Sequence, residues 1–224
     1  MKRITTILFL LLASIYAQAF TLVIDPGHGG KDAGAIGKNS KEKDINLAVA
    51  LAFGEMVKAN FPDVKVIFTR KTDVFVELSE RANIANKAKA DLFVSIHTNS
   101  LPKGRISRGT ETYTLGMHKA AENREVAKRE NSVITLESNY KTHYEGFDPS
   151  SSESYIIFEF LQDKNMEKSV RLATDIQKQF RNTAKRIDKG VHQAGFLVLR
   201  ETTMPGVLVE LGYISNPDEE RYLL

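Results

Sequence analysis

Three short apolar runs alternate with two stretches of helical period, and this order confines the chain to few folds. The runs are Thr21-Leu22-Val23-Ile24, Val64–Phe68 and Leu92-Phe93-Val94-Ser95-Ile96. Between the first two, Lys43 to Asn60 places Ile45, Leu47, Ala48, Leu51, Ala52, Met56 and Val57 at amphipathic spacing, and Phe61-Pro62-Asp63 stops it. Ser79-Glu80-Arg81 opens a second helix that runs through Ile84 and Ala85 to about Ala88. A β-α-β-α-β alternation predicts an α/β fold, a mostly parallel twisted sheet with helices on both faces, because parallel strands need crossovers that pack back on the sheet. Gly109–Leu115 predicts a further strand. A helix is expected from Ser169 to about Ile187, then strands at Phe196–Leu199 and Val207–Leu211.

The stretch 116–168 interrupts this rhythm. It is charged, holds two helical pieces (Ala120–Leu136 and Ser154–Leu161) and a turn-rich segment, Gly146–Ser152. It is expected to be a helical insertion between a late strand and a helix of one domain. Asn216-Pro217 has the form of a helix start, yet only Arg221-Tyr222-Leu223-Leu224 closes the chain, so the native protein is expected to extend further.

The N-terminus has the form of a secretion signal. Lys2-Arg3 precede an apolar run from Ile4 to Ile15, and Ala17-Gln18-Ala19 is a small-x-small cleavage site. That run is short for a membrane span. Cleavage after Ala19 would leave 205 residues, the 224 less the first 19, with no stable membrane insertion. Taking Lys2 and Arg3 from the 31 basic residues leaves 29 against 28 acidic ones. So near-neutral a chain has no electrostatic case for nucleic-acid binding. With no cysteine, disulfides, thiol chemistry and a lipoprotein anchor are excluded, and core packing, with or without a metal, must hold the fold.

Ligands of an open parallel sheet bind beyond the carboxyl ends of the strands. His28 lies just past the first strand among Gly27, Gly29 and Gly30, a poor setting for packing. His97 follows Leu92–Ile96, and Glu210 ends Val207-Leu208-Val209. Glu42 stands where the first helix begins, at that same edge. Two histidines and two carboxylates thus converge on one crevice. Two histidines with one carboxylate form a catalytic zinc set that leaves a position open, and oxygen-loving magnesium or calcium fits it less well. A second carboxylate, off the metal, would move protons. His97 alone could equally be a satisfied core histidine, and Glu42 a dipole-complementing residue of a first turn. A carboxylate after three apolar residues, as at Glu210, is costly if buried unpaired. There is no His-Glu-x-x-His helix, Gly-x-Ser-x-Gly elbow or phosphate loop.

At these residues the sequence resembles the zinc-dependent N-acetylmuramoyl-L-alanine amidases of the Amidase_3 type. The shared motifs are Val23–Gly30, Glu42-Lys43, Thr69-Arg70, Leu78–Asn83, Ser95–Asn99, Val198–Arg200 and Pro205–Asn216. The resemblance implies one zinc ion on His28, Glu42 and His97, with Glu210 as catalytic residue. It implies hydrolysis of the amide between N-acetylmuramic acid and the L-alanine of the peptidoglycan stem peptide, in the periplasm, during wall remodelling or daughter-cell separation. Thr98 departs from the small or acidic residue of that slot. Arg81, Asn99 and Arg200 are motif residues expected to make structural hydrogen bonds, and His118, His143 and His192 to be surface or packing residues.

Similar insertions in cell-division amidases cover the zinc cleft until a LytM-type activator displaces them. Glu153 and Glu159 bracket the second helical piece, and either could fill the open zinc position. A solvated surface excursion with an amphipathic helix packed on the domain is the alternative for 116–168. The competing functions are a silent peptidoglycan-binding module and a zinc peptidase acting within the stem peptide.

Overall fold

The strand β1 (Thr21–Pro26) is buried along its whole length, as a strand paired on both edges and covered on both faces must be. The computed structural model describes residues 19–117, 121–159 and 164–224, with the side chains of 157–159 outside the description. After β1 come α1 (Glu42–Asn60), β2 (Lys65–Phe68), α2 (Leu78–Lys87), β3 (Leu92–Asn99) and β4 (Thr110–Leu115). The insertion contributes α3 (Ala121–Asn131), a 3-10 turn at Ser132–Leu136, the single turn α4 (Tyr140–His143) and a 3-10 segment at Glu153–Glu159. The chain then runs through α5 (Met166–Asn182), β5 (Asp188–Ala194), the single turn α6 (Leu197–Arg200), β6 (Gly206–Tyr213) and α7 (Pro217–Leu223).

The strands form one sheet in the order β2-β1-β3-β6-β4-β5. β2, β1, β3 and β6 run parallel, β4 pairs antiparallel with β6, and β5 runs parallel to β4. One core layer packs Ile24, Ile96, Val207 and Val209 with Ile45 and Ala50 of α1 and Ala173 of α5. The other packs Val23, Phe93, Tyr113 and Leu208 with Ala85 of α2. Helices therefore cover both faces. Among the described residues no helix is long and apolar enough to cross a membrane.

One expectation changes. Phe196–Leu199 is no strand: Leu197–Arg200 is a helical turn, and Phe196, Leu197, Val198 and Leu199 are all buried in the second core layer. The strand is the preceding Asp188–Ala194, an edge strand only partly buried, whose polar residues carry little apolar signal. The insertion packs its α3 helix against the domain, as the alternative reading of 116–168 included. Its Val126, Ala127, Ile134, Tyr144 and Tyr155 belong to the second core layer.

A buried pair anchors the carboxyl end of β1. Asp25 accepts hydrogen bonds from Thr69 Oγ1 (2.5 Å), Ser95 Oγ (2.7 Å) and Arg81 Nη1 (2.8 Å). Arg81 also donates to the carbonyls of Pro26, His28 and Val76. Burial opposes the Asp25 charge, but Arg81, Thr69 and Ser95 outweigh it and hold the carboxyl below its ordinary range. That stabilisation is present at neutral pH and lost as pH falls through the lowered folded-state value. Arg81→Met should strand the carboxylate and cost about 3–5 kcal/mol, read as a lower urea midpoint. A loss below about 1 kcal/mol, the worth of an exposed pair, would refute the anchoring role.

Candidate metal centre

His28 leaves β1 with φ of 61°, a left-handed backbone that costs a non-glycine residue on the order of 1 kcal/mol. The surroundings impose it. Arg81 Nη2 donates to the His28 carbonyl at 2.8 Å, and Arg70 donates to the carbonyls of Pro26 and Gly27, both at 2.9 Å. His28 Nδ1 lies 2.7 Å from Asp32 Oδ2, which orients the ring and turns Nε2 inward. Gly27 admits no side chain, because a Cβ there would stand 2.4 Å from the His97 ring.

Glu42 opens α1. Its Oε2 accepts from the Ala35 N–H (2.8 Å), and its Oε1 from the Thr98 N–H (2.9 Å) and Asn46 Nδ2 (3.2 Å). Thr98, the departure from the family pattern, thus supports Glu42 through its backbone, and its hydroxyl donates to Asn46 Oδ1. Glu42 Oε1 also stands 3.1 Å from His28 Nε2 and 3.2 Å from His97 Nδ1. His97 lies within β3, in register with Glu210 of β6. Because adjacent registered residues share a face, the two side chains emerge side by side, where the ladder is interrupted between His97 and Asn99.

A fourth group joins from the insertion. Glu130 Oε2, near the end of α3, lies 3.0 Å from His28 Nε2 and 3.1 Å from His97 Nδ1. One ligand atom from each of His28, Glu42, His97 and Glu130 lies within 4.8 Å of all the others, and all four residues are buried. His28 Nε2, His97 Nδ1 and Glu130 Oε2 make no hydrogen bond despite these approaches. Buried polar atoms are seldom left so; here they converge on one point rather than pairing off. Donors bound tetrahedrally about 2.0–2.2 Å from zinc stand about 3.3–3.6 Å apart; the four histidine–carboxylate approaches are 3.0–3.2 Å, and the whole group spans up to 4.8 Å. The donor set therefore fits a single nitrogen- and oxygen-ligated metal ion.

The electrostatics match. Burial would lower both imidazoles, but Glu42, Asp32 and Glu130 raise His28 well above its ordinary value, and Glu130 with Glu42 raises His97 to about 9. The negative field that holds those protons is what a divalent cation would exploit. Glu210 is buried, and burial with the facing Glu130 and Glu42 pushes its carboxyl well above the ordinary range, against Arg129 and His97. Neither Glu210 oxygen has a hydrogen-bond partner, and Arg129 Nη2 lies 3.7 Å from Oε1. Glu210 thus neighbours the four-residue group without belonging to it.

The insertion carboxylate differs from the two expected. Glu153 is exposed and accepts from Ser151 within its own turn, and the Glu159 side chain lies outside the described residues. Glu130 was legible in principle: it falls on the buried face of α3, three residues after Ala127, four after Val126 and four before Ile134. A carboxylate at such a position needs a partner. Arg81 makes the structural bonds expected of it; Arg200 pairs with Glu201. His143 is exposed, His192 packs on Tyr113, and His118 lies outside the described residues.

Comparison with known proteins places this geometry. The Amidase_3 family, N-acetylmuramoyl-L-alanine amidase, matches residues 22–224. This chain belongs to that family. N-acetylmuramoyl-L-alanine amidase AmiA of Escherichia coli is 34% identical over 205 residues, covering 90% of this chain and 68% of AmiA. The N-acetylmuramoyl-L-alanine amidase of Clostridium difficile 630 superposes with a TM-score of 0.67 at 29% identity, over 92% of this chain and 87% of its own. The catalytic domain of CwlV, from Bacillus (Paenibacillus) polymyxa var. colistinus, gives 0.61 at 32% identity with the same coverage.

If the four donors share an ion, free zinc at about a hundred times its Kd should stabilise the native amidase by about 2.7 kcal/mol, seen as a rise in melting temperature. His97→Ala should abolish most of that rise. An equal rise in both proteins would exclude the site.

Proposed function

We propose that this chain hydrolyses the amide between N-acetylmuramic acid and L-alanine of peptidoglycan, using one zinc ion held by His28, Glu42 and His97. The observation that carries the reading is the buried two-histidine, one-carboxylate group with a separate buried carboxylate, Glu210, in register beside it. A bound zinc would supply Lewis-acid polarisation of the scissile carbonyl. Glu210 takes a proton from the attacking water and delivers it to the alanine nitrogen as the C–N bond breaks, and its raised pKa suits both transfers. The reading places the protein in the periplasm after removal of the first 19 residues.

The same geometry supports a latch. Glu130 fills the position that a substrate carbonyl or water would need, and Arg129 crowds Glu210. In this reading the latched form is inactive, and an activator, of the LytM type, moves the end of α3. Because deleting 116–168 would remove Val126, Ala127, Ile134, Tyr144 and Tyr155 from the core, point variants are the cleaner probe.

The primary experiment digests purified peptidoglycan with zinc-loaded protein, with and without chelation, and reads products by mass. Zinc-dependent release of peptides beginning with L-alanine is expected, and cleavage only within the stem peptide would overturn the reading. Glu210→Gln should lower turnover by about a hundredfold or more with zinc content unchanged; retained turnover would remove its role. Glu130→Ala should raise basal turnover by about 10- to 100-fold, if the open form is populated at 1–10%. No gain would count against the latch.

A further inference from the structure

Glu130 arrives with a neighbour whose seat is as fully built as the metal group. Arg129 Nη1 donates to the Ser100 carbonyl at 2.8 Å and Nη2 to Asn99 Oδ1 at 3.1 Å, while Nη2 lies 3.7 Å from Glu210 Oε1. Three acceptors outside α3 thus converge on one guanidinium, to which the adjacent Glu130 Oε1 adds a fourth at 2.9 Å. Their arrangement does not depend on Arg129. Asn99 is 1% exposed, and its Nδ2 donates to Glu111 Oε2 at 3.3 Å. Glu111 is itself held by the hydroxyls of Tyr113 (2.6 Å) and Tyr213 (2.5 Å). With Nδ2 committed to a carboxylate, the amide can only present Oδ1 toward the cleft, where the Ser100 N–H also supports it at 2.7 Å.

An acceptor-lined seat beside the proton carrier suits the departing side of an amide. Water oxygen bonds to the carbonyl carbon, the C–N bond breaks, and the proton taken by Glu210 passes to nitrogen. The new α-amine is largely cationic near neutral pH, and the peptide beyond it carries further N–H donors. We propose that Asn99 Oδ1 and the Ser100 carbonyl form the subsite for the amine side of the substrate, the L-alanine nitrogen and the N–H that follows it, and that Arg129 occupies it as a mimic of those donors. Glu130 then blocks the carbonyl side and Arg129 the amine side of one cleft. The proposal rests on the amidase reading and adds to it Asn99, a residue that binds substrate and not metal.

The test measures calorimetric binding of L-alanyl-D-isoglutamine to zinc-loaded protein. The opened variant Arg129→Ala/Glu130→Ala should bind it at least about tenfold more tightly than the wild type, and adding Asn99→Ala should lose about tenfold, as expected for hydrogen bonds to a charged donor. N-acetylation of the peptide should cost the opened variant a similar factor, and this arm leaves Asn99 intact should its replacement impair folding. Binding indifferent to both Asn99 and acetylation would overturn the subsite. The opened variant is also given peptidoglycan. Release of L-alanine-terminated peptides without a role for Asn99 sinks the subsite alone, whereas no release sinks the amidase reading beneath it.

Discussion

The contact on which the site depends is the buried Asp25–Arg81 pair, because it shapes the backbone that presents His28. A strand exit facing three glycines and a left-handed histidine would adopt many conformations on its own. Arg81 and Arg70 remove that freedom by donating to the carbonyls of Pro26, Gly27 and His28, the groups that β1 pairing leaves behind. Both arginines come from the segments that follow β2, so closing the β-α-β unit is also what positions His28. The cost of burying two guanidinium groups is met by carbonyls and by Asp25, which in turn draws in Thr69 from just past β2 and Ser95 from β3. Arg81 fits the expectation of a structural role, yet what it structures is the backbone that carries His28 into the candidate metal site.

The strand-end logic works where side-chain placement is dictated by sheet topology. His28, Glu42 and His97 meet because three chain segments end at one edge of a parallel sheet, and Glu210 joins them through the β3–β6 register. All of that follows from short apolar runs and a known crossover geometry. What escaped the reading lay where periodicity is silent. Phe196–Leu199 is apolar enough for a strand but too short to distinguish a buried turn of helix from one. Asp188–Ala194 forms a ladder at a partly exposed edge, so its strand character lies in backbone pairing with β4 rather than in its side chains. Glu130 and Arg129 lie in a helix whose many charged residues mask its few apolar positions, Val126 and Ala127, which turn the adjacent carboxylate inward.

That integration constrains how the cleft can open. Val126, Ala127 and Ile134 are packed in the same layer as Phe93 and Leu208, and exposing each fully buried Val or Ile would cost about 1.5–3 kcal/mol. Wholesale removal of the helix is therefore expensive without a partner to cover the exposed surface. Movement confined to the last turn of α3 would release Arg129 and Glu130 while keeping Val126 and Ala127 in place. The proposed latch would then be held by the fold and opened locally.

Charge balance explains why a carboxylate and a guanidinium should travel together. Glu42, Glu130 and Glu210 lie buried around a small volume, and three like charges there would be prohibitive. A divalent ion with Arg129 would neutralise all three if each were ionised. Withdrawal of the α3 end takes away one negative and one positive charge at once, leaving Glu42, Glu210 and the ion still balanced. If the last turn of α3 acts as the proposed latch, it leaves as a neutral unit, so opening need not strand a charge in a low-dielectric pocket, and packing and hydrogen bonds would set the energy separating the two states. Loss of Arg129 alone would break that balance, setting Glu130 against Glu210 and weakening the closed state from within.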